Sequence, residues 1–323
     1  MPTKNADKHI TECLTSIINQ NFTDWELLVV NDHSTDSTRN ILKEFSAKEQ
    51  RITFFDNEGK GIIKALQLAY KNSSGEYITR MDSDDIMPNN KLALMCNSLQ
   101  KNPNSLITGY VRYISDNELK AGYLYYQNWL NGLVDNNSHY TEIYKECVIP
   151  SPCWMISREI FEKCGAFHAE TYPEDYDLTF RFYKNKTPIV SLKEELHIWR
   201  DHQERASRND DNYSDNSFVD IKLYYFLKLD LDTTKKLVLW GAGKKAKTLA
   251  RLLLENNIHF EWACNNPNKI GHTVYDIKML DIQKVFSVNK QYQIIIMVAN
   301  KEEQKEIKHF SGSRKNLDLF WFC

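Results

Sequence analysis

Long apolar runs are missing from this chain. Nowhere do roughly eighteen consecutive apolar residues occur, the length that a membrane-spanning helix requires. Met1 is followed by neither a basic stretch nor an apolar segment of the secretory kind. Both absences point to a cytoplasmic protein. An excess of positive charge is missing too: 41 Lys and Arg stand against 43 Asp and Glu, a formal net charge of -2. A nucleic-acid partner would need a strongly basic face, so none is expected. No C-x-x-C pair occurs among the seven cysteines, which are odd in number and widely spread. That excludes a disulfide framework and a structural zinc site, and leaves the thiols as small buried hydrophobes. Internal repeats are absent, and the polar stretch after Trp199 is the one segment of biased composition.

What is present is an ordinary globular composition, 42% hydrophobic and 26% charged, over 323 residues, enough for about two domains. Ile10, Cys13, Leu14, Ile17 and Ile18 recur at helical spacing. Trp25 to Val30 is a continuous apolar run that ends in the polar Asn31 to Asp36, the pattern of a buried parallel strand entering a loop. A helix from Ser34 to Phe45, a strand from Arg51 to Phe55 and a helix from Ile62 to Lys71 follow. This alternation of strand and helix predicts a mainly parallel sheet covered on both faces. Further on, the pattern predicts a helix over Lys91 to Leu99, a strand within Ser105 to Ile114, and a helix that begins at Pro173. Residues 115 to 147, rich in aromatics and without a clean period, read as a packed helical or lid segment rather than a substrate contact.

Ligands of such sheets sit outside the carboxyl ends of the strands. The loops Pro2 to Asn5, Asn31 to Asp36 and Asp82 to Asp85 all fall there. In Glu76 to Asp85, EYITRMDSDD, a short strand opens onto Asp82, Asp84 and Asp85. Carboxylates that close repel one another unless something positive lies between them, which suits a divalent cation carrying a diphosphate. An acidic loop capping the next helix fits the same residues, with Asp85 as the structural cap. Glu174 and Asp175 follow Pro173 in a helical first turn, where they complement the helix dipole or serve chemistry. His202 reads as a surface histidine or a ligand, and Arg200 and Arg205 as phosphate contacts or as partners of Asp201 and Glu204.

Taken in order, the blocks PTKN, ELLVVNDHSTDST, GKGIIKAL, SGEYITRMDSDD, ISREIFEKCGAF and PEDYDLTFRF resemble the family 2 glycosyltransferases of the GT-A fold over about residues 2 to 208. The resemblance implies inverting, metal-dependent transfer of a sugar from a nucleotide-sugar, usually a UDP-sugar, to a hydroxyl of a glycan or lipid-linked glycan. A hexosyl- or N-acetylhexosaminyltransferase of surface polysaccharide synthesis is the expectation, working at the inner face of the membrane through peripheral contact. By position, Pro2, Thr3 and Asn5 would lie against the base and ribose, and Asp32 would hydrogen-bond the uracil. Lys64 falls where the family often has an arginine near the donor. Asp82 would face ribose and metal, Asp84 would be the principal ligand of Mn²⁺ or Mg²⁺, and His202 would touch the metal or diphosphate. Arg200 and Arg205 would neutralise phosphate. Asp175 would be the general base, with Glu174 holding an acceptor hydroxyl or orienting that base.

The chain departs from the family pattern in three ways. No strand precedes Pro2, Asn31 replaces the first acid of the common Asp-Asp pair, and no Q-x-x-R-W follows the base, which argues against a processive synthase. A catalytically impaired nucleotide-sugar or glycan-binding protein is the alternative reading. The expected layout is a GT-A domain over residues 1-208, a helical connection over 209-234 and a small Rossmann-like α/β domain over 235-323. In the last, Gly241-Ala242-Gly243 opens a helix as a dinucleotide loop would, but Cys264-Asn265-Asn266 offers no acid for a ribose. No NAD is expected there, and packing, acceptor positioning or a homo-oligomer contact is the preferred role.

Overall fold

The computed structural model describes residues 1-115, 118-205, 218-286, 290-312, 314 and 316-323. Among them, two compact units form: Met1–Thr141 with Cys147–Ser214, and Glu142–Glu146 with Asp215–Cys323. The helix expected as a connection therefore belongs to the second unit. The polar stretch 206-217 and the boundary at 208 lie outside the described residues.

The first unit begins with β1 (Pro2–Thr3), α1 (Ile10–Ile18), β2 (Leu27–Asn31), α2 (Thr38–Lys48), β3 (Ile52–Asp56) and α3 (Ile62–Lys71). β1, β2 and β3 make a parallel sheet in that order. Pro2 and Thr3, expected as loop, thus pair with Val30 and Asn31 as a short strand. The Met1 ammonium donates to the Leu28 carbonyl at 2.7 Å and extends the pairing by one residue. α1 buries Ile10, Cys13, Leu14 and Ile17, one stripe of its surface. Val30 packs with Ala65 and Ala69 of α3, whose small side chains let helix and strand approach closely.

β4 (Tyr77–Thr79), α4 (Lys91–Lys101), β5 (Leu106–Ser115), α5 (Ala121–Asn136), β6 (Trp154–Ser157), α6 (Arg158–Lys163), α7 (Glu174–Lys184) and β7 (Ile189–Asp201) complete the unit. Their strands form a second sheet in the order β4-β6-β5-β7. α5 is a packed helix, as expected of the aromatic stretch. Its Asn131 and Gln127 side chains bond the backbone of Val111 and Tyr113, standing in for a neighbouring strand. β7 is the element that sequence patterning misses. Lys193, Glu194 and Glu195 interrupt its apolar residues because the strand bulges there: Gly109 is opposite Leu192, Tyr110 opposite Glu195 and Val111 opposite His197. Gly109 makes room for that bulge. A Cβ on it would lie 2.5 Å from Leu196 Cδ1 and 2.9 Å from the Leu192 carbonyl oxygen.

The second unit holds α8 (Val219–Tyr225), β8 (Lys236–Trp240), α9 (Lys244–Glu255), β9 (Glu261–Cys264), β10 (Thr273–Val274), β11 (Ile277–Lys278), β12 (Leu280–Asp281), α10 (Ile282–Val285), β13 (Tyr292–Ile296), α11 (Lys301–Gly312) and β14 (Leu317–Trp321). Its parallel sheet runs β12-β9-β8-β13-β14, the doubly wound order of a Rossmann-like unit. Val238, Trp240, Tyr292, Ile294 and Ile296 form its core with Ile307 of α11. The Gly241-Ala242-Gly243 turn is closely packed: Trp262 Nε1 donates to the Gly241 carbonyl at 2.6 Å and Lys269 Nζ to that of Ala242 at 2.9 Å. A Cβ at Gly241 would fall 2.5 Å from the Met297 carbonyl oxygen. The hairpin β10-β11 and the strand β12 come from residues that show no clear period in the sequence. No helix among the described residues is long and apolar enough to cross a membrane.

Replacing Gly109 tests the packing of the bulge. Gly109→Val is expected to lower stability by about 1 to 3 kcal/mol, the cost of overpacking a filled core. An unchanged midpoint in denaturant unfolding would contradict it.

Candidate active site

The carboxyl ends of β1, β2 and β4, the start of α7 and the end of β7 carry the residues singled out in the sequence. At β2, Asp32 is buried and its backbone N–H donates to the Thr3 carbonyl at 2.8 Å. Its carboxylate accepts from Asn57 Nδ2 at 2.7 Å and from the Gly61 N–H at 3.1 Å to each oxygen. Asn57, which the sequence reading left out, therefore fixes the loop between β3 and α3 against Asp32. Asn31, in place of an acid, donates to Asp56 Oδ1 at 2.8 Å, and Asp56 in turn pairs with Arg39. Asn5, with a left-handed φ of 49°, accepts from the Thr35 N–H at 2.8 Å through Oδ1 and donates its own N–H to Ser34 Oγ at 3.0 Å. Thr3 is buried beside this loop pair, and its Oγ1 has no protein partner among the described residues.

The Asp82 to Asp85 loop is held mainly by β7. Ile86 and Ile198 exchange backbone hydrogen bonds of 3.0 and 3.1 Å. Asp85, fully buried, accepts from the Arg200 backbone N–H at 2.8 Å and lies 2.8 Å from His197 Nε2. Burial and then the neighbouring Asp84 charge push the Asp85 carboxyl well up, and burial pushes His197 well down. Both shifts favour a neutral hydrogen-bonded pair. Asp85 is structural, though not as a helix cap: the N-cap of α4 is Asn90. Arg200 Nε donates to the Asp84 carbonyl at 3.1 Å and its Nη2 to Glu12 at 2.5 Å, so this expected phosphate contact is already paired within the protein. On the other side, Cys13 Sγ donates to the Asp82 carbonyl at 3.4 Å and ties α1 to the loop.

That grip leaves Asp84 and His202 facing each other, Oδ2 to Nε2 at 2.9 Å, with side chains 23% and 19% exposed. Burial works against the Asp84 charge, but His202 and the Arg205 guanidinium outweigh it and hold the carboxyl below its usual range. Arg205 also lies over the Tyr113 and Trp199 rings, 5.5 and 5.7 Å from their centroids. Asp82 instead turns to Arg80, Oδ1 to Nη2 at 3.1 Å. No group of three or more His, Cys, Asp or Glu side chains among the described residues is gathered to hold a metal. Asp84 and His202 are still a fitting donor pair, because Mg²⁺ and Mn²⁺ are commonly bound by one or two protein ligands with substrate phosphates and water completing the shell.

Glu174 and Asp175 open α7 after Pro173, which follows Tyr172 through a cis peptide bond. Arg80 Nη1 donates to Glu174 Oε1 at 2.8 Å, so one buried guanidinium joins the strand-end loop to the start of α7. Asp175 is half-buried, and its Oδ1 accepts from the Tyr176 N–H at 2.8 Å. Burial first, and the adjacent Glu174 charge second, push its pKa up to about 7, with Arg80 pulling the other way. Lys64 is exposed on α3 and pairs with Glu170. Arg80 and His197 escaped the sequence reading. Arg80 stands at a strand end next to the acids that it serves, and nothing in its spacing marks it. His197 is hidden by the unrecognised strand.

Asp85 offers a direct check of this geometry. Asp85→Asn keeps a neutral side chain able to bond both neighbours and is expected to cost less than about 1 kcal/mol. Asp85→Ala strands two buried groups and is expected to cost about 1 to 3 kcal/mol by denaturant unfolding. Equal costs would contradict the neutral pairing.

GlyA, a glycosyltransferase of Streptococcus pneumoniae, is 27% identical over 217 residues, 64% of this chain and 31% of that protein. The Escherichia coli UDP-Glc:alpha-D-GlcNAc-diphosphoundecaprenol beta-1,3-glucosyltransferase WfgD is 38% identical over 120 residues, 37% of this chain and 47% of that protein. The chain thus spans less than half the length of either relative. In structure, S. aureus TarS 1-349 in complex with UDP-GlcNAc matches with a TM-score of 0.55 at 20% identity, covering 78% of this chain and 70% of that one, which supports the GT-A fold. The profile of glycosyl transferase family 2 matches residues 1–165, over half of the chain's 323 residues, and the chain belongs to that family.

Proposed function

We propose that the first unit transfers a sugar from a nucleotide-sugar to a hydroxyl of a glycan or lipid-linked glycan, with inversion at the anomeric carbon and with Mn²⁺ or Mg²⁺ bound. The carrying observation is the presence of two features beside the Asp82 to Asp85 loop: Asp84 with His202, and a half-buried Asp175 next to a Glu174 that Arg80 ties to that loop. The relatives' names support the substrate classes, since WfgD acts with UDP-Glc on a diphosphoundecaprenol-linked GlcNAc and TarS is seen with UDP-GlcNAc. Thr3, Asn5 and Asp32, with Asn57 and Gly61 behind them, form the wall assigned to the base and ribose.

A divalent cation held by Asp84 and His202 would act as a Lewis acid on the leaving diphosphate. The residues do the rest. Asp82, turned by Arg80, is left to meet the ribose. The acceptor oxygen attacks the anomeric carbon as the bond to the diphosphate oxygen breaks, and its proton passes to the Asp175 carboxylate. A carboxyl tuned to about 7 suits that task, because a base works best with a pKa near the operating pH. Glu174 holds the acceptor hydroxyl. Arg205, over the Tyr113 and Trp199 rings and acting on the Asp84 charge, is the cation assigned to the phosphates.

Incubation with Mn²⁺ and a panel of UDP-sugars is expected to give transfer or slow donor hydrolysis that Asp84→Ala and Asp175→Asn each reduce by about 100-fold or more. Binding of UDP without turnover under any acceptor would favour the binding-protein reading instead. The sign of the pH dependence follows from the raised Asp175 pKa. The base must be unprotonated to accept the proton, so kcat/KM is expected to be flat above about pH 7 and to fall roughly tenfold per unit below it. A profile still flat at pH 5 would exclude Asp175 as the base.

A further inference from the structure

We propose that Arg80 is a positioning residue that bonds Glu174 and so leaves Asp175 as the one member of the pair that takes the proton. The proposal rests on the sugar-transfer reading above and goes beyond it by assigning the division of labour between two adjacent acids to a third residue.

Arg80 leaves β4 with its side chain only 6% exposed. Nη1 donates to Glu174 Oε1 at 2.8 Å, while Nε and Nη2 approach Asp82 Oδ1 at 3.2 and 3.1 Å. Burying a guanidinium is costly unless carboxylates meet it, and here one acid comes from two residues along the chain and the other from 94 residues away. The converse holds for Glu174. It is 7% exposed, and an ionised carboxylate so buried needs a cation in hydrogen-bonding contact. Arg80 is the cation that meets this need among the described residues. Glu174 Oε2 is buried with no protein partner among those residues, so one oxygen is locked by Arg80 and the other stays open as a hydrogen-bond acceptor.

Asp175 differs from its neighbour in each respect. It is half-buried, and its carboxylate is met by the Tyr176 N–H rather than by a cation. The charges that act on it are Glu174 on its own helix, and Arg80 and Asp82 at the end of β4. Two neighbouring carboxyls in like surroundings would titrate alike. A cation bonded to only one of them breaks that symmetry, and a pair whose environments are pushed apart has its acid and base roles assigned. Arg80 touches no reacting atom: it bonds Glu174, and its charge also reaches Asp175. A plain structural tie between β4 and α7 would give the same distances, so the test must read more than stability.

The experiment measures turnover against pH, with thermal melts, for Arg80→Met, Arg80→Lys, Glu174→Gln and the double variant Arg80→Met/Glu174→Gln. Arg80→Met removes a favourable charge from Asp175 and should raise the acid limb by about half a unit or more and cut kcat about tenfold. Glu174→Gln removes a like charge and should move the limb down. Arg80→Lys should keep the limb close to that of the wild type. If Arg80 acts through Glu174, Arg80→Met should cost less than about threefold in kcat once Glu174 is Gln. Multiplying losses, or a limb unmoved in folded Arg80→Met, overturns the proposal. Should Arg80→Met not fold, the Glu174→Gln limb decides: a downward shift supports the proposal and an unchanged limb overturns it. Full activity of Asp175→Asn would instead overturn the transfer reading itself. An inactive Asp175→Asn with limbs indifferent to Arg80 and Glu174 overturns only this inference.

Discussion

Three carboxylates at the end of one short strand, Asp82, Asp84 and Asp85, cannot stand together without partners, and the first unit can be read as the means of supplying them. Each acid is met by a different side chain or backbone group. Asp82 is turned by Arg80, Asp85 is sunk against His197 and the Arg200 N–H, and Asp84 is left facing His202. Three of these partners come from β7 or the residue that follows it, so the site depends on the register of that strand. The register depends in turn on the bulge opposite Gly109, where a side chain larger than hydrogen has no room. A packing requirement in the core thereby sets which residues meet the acidic loop.

Dividing the acids by environment divides them by task. Deep burial removes Asp85 from chemistry and makes it an anchor. Partial exposure keeps Asp84 and His202 open to a ligand, and a buried cation separates Glu174 from Asp175. In each case the distinguishing factor is what lies within hydrogen-bonding distance, which spacing along the chain does not reveal.

Much of this was legible in the sequence. The alternation from Ile10 to Lys71 and the polar ends of its strands led to the parallel sheet and its crevice, because period and loop composition are local signals. The ordered blocks from PTKN to PEDYDLTFRF carried the family. Long-range pairing was not legible. β7 was missed because its charged bulge imitates a loop, and His197 and the clamp on Asp85 went with it. Arg80 was passed over because its partner Glu174 lies 94 residues away. Lys64 and Arg200 stand where the resemblance implies donor contacts, and each also meets an acid from another segment, Glu170 and Glu12. In the second unit, the Rossmann-like order followed from strong apolar strands, whereas β10, β11 and β12 are two residues each and too short to show a period.

The central claim is that Asp84 and His202 together form the cation site against which a nucleotide-sugar's diphosphate is held, with Asp175 on the opposite side of the sugar. A crystal structure of the full chain with UDP and Mn²⁺ tests it most directly. The account predicts Mn²⁺ in contact with Asp84, His202 and the diphosphate, uracil against Asp32, and Arg80 still bridging Asp82 and Glu174. Mn²⁺ bound without Asp84, or UDP seated away from β1 and β2, would contradict it.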